Sequence, residues 1–324
     1  MKKGRIRNYL LMRWRFLKEA YSFWKLLCRY NASVDTENDI EKYEYLLLRM
    51  THTIEKGLSL HHPRKGFGRV KVDSLLDSLW DFQRRYGHQD GDFIKYPLAA
   101  IRNYIRFSEA QGIEMPEIKD KYESLIAFSG VDISEEKAGV SLIRKDLVLS
   151  KCTGDFDSLT GIRHSIRTFS KEQVSKDVIL SALDIARRTP SACNRQGWKT
   201  YVFQGDKSEK LLDWQGCCRG FEDEIDTSVL VTCNLKAFMH YEVHQAYVDG
   251  GLYAMNLINA FQYLGLGTIP LSVAFDQKKL KGLRDFGIPE CEVPIVIVGI
   301  GHLTDEFKVA VSSRKEISQT NTFL

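Results

Sequence analysis

The sequence predicts two regions of different fold class. Residues 1–153 are predicted to be all helical, and residues 154–324 to form a layered sheet covered by helices, of the α/β or α+β class. In the first region apolar residues recur at spacings of three and four, and no strand-like alternation stands out before residue 195. In the second region helical patterns alternate with short apolar runs, which is typical of strands connected by helices.

The helices of the first region follow from this helical period. In residues 7–29, Leu10, Trp14, Leu17 and Tyr21 recur at spacings of three and four, which predicts an amphipathic helix. Pro116 is placed where a helix commonly begins. Further helices are predicted over residues 37–57, 71–86, 92–111, 116–128 and much of 136–151.

The elements of the second region alternate along the chain. Helices are predicted over residues 175–188, 206–215, 240–264 and 276–285, and strands over residues 198–204, 227–233, 268–272 and 292–299. Residues 250–275 carry no charged side chain and are long enough to span a bilayer. Because Asn256, Asn259, Gln262 and the break Gly265-Leu266-Gly267 interrupt them, a buried helix, a turn and a short strand explain them better.

Charge is distributed unevenly along the chain. The net charge of +4 argues against a general nucleic-acid binder, so no nucleic-acid partner is expected. Residues 1–30 contain nine Lys or Arg and one Glu, a local charge of +8. This predicts that residues 1–30 meet an anionic membrane surface or an acidic partner. The alternative is a helix packed on its own domain.

The cysteines and the amino terminus indicate the compartment. The seven cysteines have no regular spacing, and the first twenty residues lack the apolar core and cleavage site of a secretory signal. A cytoplasmic protein with reduced thiols is therefore expected, with peripheral attachment to a membrane as an extension. His240 and His244 lie one helical turn apart, but no third ligand is evident, so no metal site is predicted.

The most informative stretch is residues 161–203, which reads GIRHSIRTFSKEQVSKDVILSALDIARRTPSACNRQGWKTYVF. It begins with a cluster of Arg163, Ser165 and Arg167, continues through an amphipathic helix, and reaches a polar loop over residues 190–196. Arginine side chains bind phosphate oxygens in a bidentate way, and amide side chains both donate and accept hydrogen bonds. The pattern therefore suits a planar cofactor that carries a phosphate. Three polar residues in a turn also occur as an ordinary solvated turn.

These residues resemble a known family. The motif Arg163-His164-Ser165-Ile166-Arg167 followed by PSACNRQGW is similar to the opening of the FMN-dependent nitroreductase family. The similarity continues in order through GGLYAMNLINAFQYLGLGTIPLS, FDQKKLKGLRDFGIPE, VPIVIVGIGH and Ser313-Arg314, and covers roughly residues 156–324. The whole chain also faintly resembles nitroreductase-like proteins associated with bacterial surface-polysaccharide assembly. The resemblance implies an α+β, nitroreductase-like layered sheet preceded by the helical region.

The resemblance also implies a flavin site. Arg163 and Ser165, with Arg314, would hold the FMN phosphate, and Arg167 would tune the flavin chemistry rather than act as an acid or base. The remaining residues expected at the cofactor are His164, Pro190, Ser191, Asn194, Gln196, Pro270, Leu271 and Ser272. A homodimer is implied, in which Ser191 reaches the cofactor of the other subunit and the carboxyl-terminal tail contributes a strand to the partner.

The function that follows is an FMN-dependent oxidoreductase, with no catalytic side chain because the flavin performs the electron transfer. NADPH or NADH is the expected donor, and a small organic molecule the acceptor. The alternative is a flavin-binding interaction protein, docked at a membrane or enzyme complex, with little redox turnover.

The amino-terminal region also has a conspicuous loop. Residues 51–69 carry cations among glycines and Pro63, which fits either an anionic or sugar-phosphate substrate or a solvated connection between helices. Only Asn234–Met239 or so separates the predicted strand 227–233 from the following helix, so the long helical insertion that shields the flavin in many relatives is missing. Residues 37–150, particularly 55–69, are expected to replace it as a lid.

Overall fold

The computed structural model describes residues 2–30, 36–239 and 241–324. Their contacts divide the chain into two compact units, one of Met1–Leu26 with Ile143–Phe307 and one of Leu27–Leu142 with Lys308–Leu324. The predicted division at residue 153 differs from this, since the last residues of the chain belong with the helical unit. Whether residues 37–150 cover the flavin as a lid depends on how the two units are placed, so the lid stays a prediction.

The helical unit consists mainly of four helices. The chain begins with α1 (Lys2–Tyr30), whose first part is assigned to the other unit, and continues through α2 (Ile40–Leu58), α3 (Arg69–Asp90), α4 (Lys95–Ala110) and α5 (Pro116–Ser129). Asp39 caps α2 by accepting from the Lys42 N–H at 3.1 Å. Fully buried Leu47, Leu79 and Tyr104 belong to the core between these helices.

One predicted helix is wrong over part of its length. Residues Val140–Arg144 form a strand, β1, and only Lys145–Cys152 form a helix, α6. β1 pairs with β6 (Glu306–Ala310) in a two-stranded sheet. The hydrogen bonds of β1 therefore come from a segment far along the sequence, which a local pattern does not reveal. A short helix, α7 (Phe156–Ile162), was likewise absent from the sequence prediction.

The second unit is built on a four-stranded antiparallel sheet in the order β2-β3-β5-β4. Its elements are α8 (Lys176–Ala186), β2 (Trp198–Gln204), α9 (Asp206–Gln215), β3 (Thr227–Asn234), α10 (Gln245–Tyr263), β4 (Leu266–Leu271), α11 (Gln277–Leu280) and β5 (Glu292–His302). The unit is α+β, as predicted. The carboxyl-terminal tail includes a short helix, α12 (Ile317–Thr320), and its exchange with a partner stays a prediction.

α8 and α10 pack on the sheet and enclose the core of this unit, which includes Ala182, Val229, Leu257 and Val298. The connection between β3 and α10 covers residues 235–244, longer than the sequence analysis expects, because α10 begins only at Gln245. His240 lies outside the described residues. No helix in the described ranges is both long and apolar enough to cross a bilayer.

Candidate functional site

The basic segment, residues 163–170, lies beside the edge strand β4. Ser165 pairs with Thr268 of β4, and the Ile166 N–H donates to the Thr268 carbonyl at 2.9 Å. Further along, the Ser170 N–H donates to the His302 carbonyl at 2.9 Å. The backbone of the basic segment is thus hydrogen-bonded to the sheet at both ends, which fixes the direction of its side chains.

Two apolar side chains anchor the basic segment. Ile166 and Phe169 are buried, and Phe169 lies against Gly301 of β5. A Cβ atom at Gly301 would stand 2.8 Å from the Phe169 ring, so only glycine lets the ring approach this closely. The glycine and the aromatic ring together set the position of the basic segment on the sheet.

The polar side chains of the basic segment differ in burial. Arg163, His164 and Ser165 are half-buried, whereas Arg167 is 5% exposed. Arginine is rarely so buried, because removing a guanidinium from water is costly unless other groups compensate. A buried cation held by the backbone of an edge segment is therefore a candidate for binding a group that becomes negatively charged.

The amide loop, residues 190–196, has an uncommon backbone. Cys193, Asn194 and Gln196 adopt the left-handed conformation, with φ of 52°, 54° and 48°. For a residue other than glycine this region is sparsely populated, and such strain clusters at binding sites. The Asn194 and Gln196 side chains are exposed and hydrogen-bonded to each other at 3.1 Å, so their carboxamides are available at the surface.

The amino end of α10 holds the amide loop from one side. Buried Asp249 accepts from the Ala192 N–H at 3.2 and 3.3 Å, and the Gln245 side chain donates to Asp249 at 2.8 Å. The Asn256 side chain donates to the Thr189 hydroxyl at 2.9 Å. Helix α10 thus fixes both the beginning and the middle of the strained backbone.

A salt bridge holds the amide loop from the other side. The Arg195 guanidinium donates to both oxygens of Glu242 at 2.6 and 2.7 Å, and its centre lies 5.0 Å from the Phe238 ring. The hydrogen bonds from Arg195, with another from the Met239 N–H, lower the pKa of Glu242 to about 2. The pair therefore remains ionised at all ordinary pH values.

This pair gives a pH-dependent prediction. Because the pKa of Glu242 is depressed from 4.5 to about 2, its contribution to stability should be complete above about pH 4.5 and decrease as pH falls toward 2. Glu242→Gln should therefore lower the free energy of unfolding by a constant amount above pH 4.5 and by less below it. Urea unfolding from pH 3 to 7 measures this, with Asp184→Asn at the exposed Arg187 pair as control. A difference that does not change with pH would contradict it.

The end of β4 carries three further residues that are predicted at the cofactor, Pro270, Leu271 and Ser272. Pro270 and Ser272 are exposed, whereas Leu271 is buried. The Gln215 side chain donates to the Ser272 carbonyl at 2.8 Å, and the Ser272 hydroxyl accepts from the Ala274 N–H at 3.2 Å. Because Pro270 follows Thr268 by two residues, the basic segment and the end of β4 lie on neighbouring backbone.

The predicted residues of this unit thus form two groups at one sheet: the basic segment with the end of β4, and the amide loop. The amide loop precedes β2 at the opposite edge from β4, three strand spacings or about 14 Å away. Arg314 belongs to the helical unit, where it is exposed and donates to the Ser312 carbonyl. The sequence did not predict Arg195, Glu242 or Asp249 as residues of the site. Asp249 could have been recognised, because it is the sole charged residue of the otherwise uncharged helix α10.

Comparison with known proteins identifies the part of the chain that contains the basic segment and the amide loop. Residues 162–231 match the model described as the nitroreductase family. This segment is similar to the nitroreductase family. It includes the basic segment and the amide loop, whereas the end of β4 and Arg314 lie beyond the match. The sequence resemblance to nitroreductases is therefore confirmed for this part of the chain.

Individual proteins are similar to parts of this chain. An Archaeoglobus fulgidus protein with the provisional name NADH dehydrogenase/NAD(P)H nitroreductase is 29% identical over 145 residues, which are 44% of this chain and 83% of the relative. A 4-nitrobenzoate reductase of Pseudomonas putida is 36% identical over 59 residues, 18% of this chain and 26% of the relative. An Exiguobacterium sibiricum protein solved in complex with FMN is 18% identical, with a TM-score of 0.44 over 52% of this chain and 97% of that chain.

Proposed function

We propose that the chain is an FMN-dependent oxidoreductase of the nitroreductase type. The observation that carries this is Arg167, a buried guanidinium held beside β4 within the segment that matches the family. The relatives named for NAD(P)H support a reduced nicotinamide as electron donor. A small organic molecule is the proposed acceptor.

The residues fit the two ends of such a cofactor. A phosphate group near charge −2 requires several donors, and the half-buried Arg163 and Ser165 offer a guanidinium and a hydroxyl. The exposed carboxamide of Asn194 can donate and accept at the edge of a heterocycle. The backbone of Leu271 and Ser272 at the end of β4 is kept as a proposed flavin contact from the family resemblance alone. Arg314 is kept as a proposed phosphate ligand from the family resemblance alone.

The protein supplies binding, orientation and charge. FMN, when bound, accepts and releases the electrons of the reaction. Arg167 adds a fixed positive charge in a buried setting, where it would stabilise negative charge on a bound, reduced flavin and so raise its reduction potential. The Arg195–Glu242 salt bridge and Asp249 keep Asn194 in its strained position before the cofactor arrives, so little reorganisation is needed on binding.

Anaerobic mixing with NADH or NADPH tests the proposal. The purified chain should be yellow and should lose its oxidised flavin absorbance when donor is added, then regain it with a nitroaromatic acceptor. The alternative, a flavin-binding interaction protein, predicts flavin content without reduction at a useful rate. A chain that carries FMN but consumes neither donor would support that alternative.

We also propose that the chain forms a homodimer through α10. The outer face of α10 presents Tyr247, Val248, Leu252 and Met255, each 43–52% exposed, next to the more exposed Phe156. A contiguous apolar surface of this kind is usually buried against another protein. Because the amide loop lies about 14 Å across the sheet from β4, we propose that each flavin lies at the boundary between two copies.

The α10 face gives a direct test of assembly. Leu252→Asp should convert the dimer into monomers, since a carboxylate in an apolar interface must lose its hydration. Leu180→Asp on α8 is the matched control, because Leu180 is equally exposed (51% against 50%) but does not line the groove with Leu252 and Phe156. Light scattering reports the mass of both variants. A wild-type monomer that still carries flavin would refute the proposal.

A further inference from the structure

Helix α1 exposes an unusual amount of apolar surface. Nine large apolar side chains between Tyr9 and Trp24 are 41–69% exposed. The Phe23 ring lies 4.5 Å from the His244 ring, but Phe23 itself stays 41% exposed. Most of the area of these nine side chains is therefore exposed in the described part of the chain. Something else must cover these side chains if they are to leave water.

The arrangement of side chains on α1 is that of a helix lying in an interface. At 100° per residue, Leu10, Trp14, Leu17, Tyr21 and Trp24 form one continuous row. Phe16 and Phe23 widen the apolar arc to roughly half of the circumference. Arg15 and Lys18 lie on the other half, Lys25 lies at the border of the arc beside Trp14, and Arg13 lies within it. A wide apolar face with Trp and Tyr, together with cations along its border and beyond it, is found in helices that lie in the plane of a bilayer surface.

The cations of α1 accompany its aromatic rings. Lys18 lies 5.8 Å from the centre of the Trp14 ring, Lys25 lies 4.8 Å from that of Tyr21, and the Arg13 guanidinium lies 5.1 Å from that of Tyr9. Long basic side chains extend to the level of lipid headgroups while the rings beside them occupy the boundary with the acyl chains. Paired rings and cations therefore suit anionic lipid headgroups.

The charge of α1 distinguishes among occupants. A second copy could offer the apolar face of α10, but α10 carries only one charged side chain, buried Asp249, which cannot complement a local charge of +8. A nucleic acid would meet the cations but leave the aliphatic and aromatic row in water. We propose that α1 is an interfacial helix that binds the chain to an anionic phospholipid surface.

Co-flotation of the full-length chain with vesicles tests this proposal. Wild type should float with phosphatidylcholine–phosphatidylglycerol vesicles (about 3:1) and much less with pure phosphatidylcholine, and salt should weaken the binding. Trp14→Ser with Leu17→Ser should weaken binding by at least about tenfold. Leu180→Ser with Val70→Ser is the matched control, since both residues are exposed apolar side chains on other helices.

A charge variant separates electrostatic from apolar attraction. Arg15→Glu with Lys18→Glu should weaken binding by about 25-fold or more, because each cation at a membrane surface contributes about fivefold. Lys207→Glu with Lys210→Glu on α9 makes the same change in net charge and should bind like wild type. Equal flotation with neutral and anionic vesicles would overturn the proposal. Normal vesicle binding by the Trp14 and Leu17 variant would also overturn it. The same holds if this variant converts a lipid-free dimer into monomers, because the apolar face of α1 would then be buried against a second copy.

Discussion

Replacing Arg167 by leucine is expected to lower turnover with NAD(P)H by about 100-fold or more, the usual cost of removing a preorganised electrostatic stabiliser. The guanidinium is 5% exposed, so water cannot substitute for its charge. Without it, a negatively charged reduced flavin is less stable, and the midpoint potential of bound FMN should fall. Stopped-flow reduction and potentiometry measure the two effects.

Two variants make this result interpretable. Arg167→Lys keeps the charge but loses the planar fork of donors, so it should retain part of the potential and part of the turnover. Arg188→Leu removes a surface arginine, 72% exposed, and should leave both unchanged. If Arg167→Leu binds FMN with the wild-type potential and turnover, Arg167 has no role in the chemistry.

Phe169→Ala is expected to be the most destabilising single change in the basic segment, by about 3–5 kcal/mol in the free energy of unfolding. The ring is 3% exposed and fills the space that Gly301 leaves on β5. Its loss should also release the basic segment from the sheet and lower the affinity for FMN. Urea unfolding and flavin titration measure the two effects separately.

Gly301→Ala tests the same contact from the other side. The added Cβ would lie 2.8 Å from the Phe169 ring, so this variant should cost about 1–3 kcal/mol in an otherwise wild-type chain. In the Phe169→Ala background most of that cost should disappear, because the ring that it strikes is gone. A double-mutant cycle gives the coupling energy. Costs that simply add would show that Gly301 and Phe169 do not determine each other's position.

Local sequence patterns determine most of the elements. The bounds predicted for residues 198–204 and 206–215 agree with β2 and α9, because a run rich in aromatic and β-branched residues ends at Gly205 and a helical pattern follows. Residues 140–144 show the limit of such patterns. A helical period continues into them, but pairing with β6 makes them a strand, and that partner is more than 160 residues away.

In the candidate site, too, residues close together in the sequence could be predicted and contacts between distant residues could not. The basic segment and the amide loop could be recognised from the sequence because their polar residues are adjacent in the chain. The groups that position the loop could not, since Glu242 contacts Arg195 across 47 residues and Asp249 contacts Ala192 across 57. Antiparallel topology also places the two groups at opposite edges of the sheet, which no spacing in the sequence indicates.

The most direct test of the account is the flavin content of the purified full-length chain. Heat denaturation should release FMN, identified by its mass and fluorescence, in a ratio of one per chain. Chain purified without flavin should regain that ratio from added FMN, and Arg163→Ala with Ser165→Ala should bind it less tightly while unfolding at the wild-type urea concentration. A colourless wild-type chain that binds no added FMN would contradict the account.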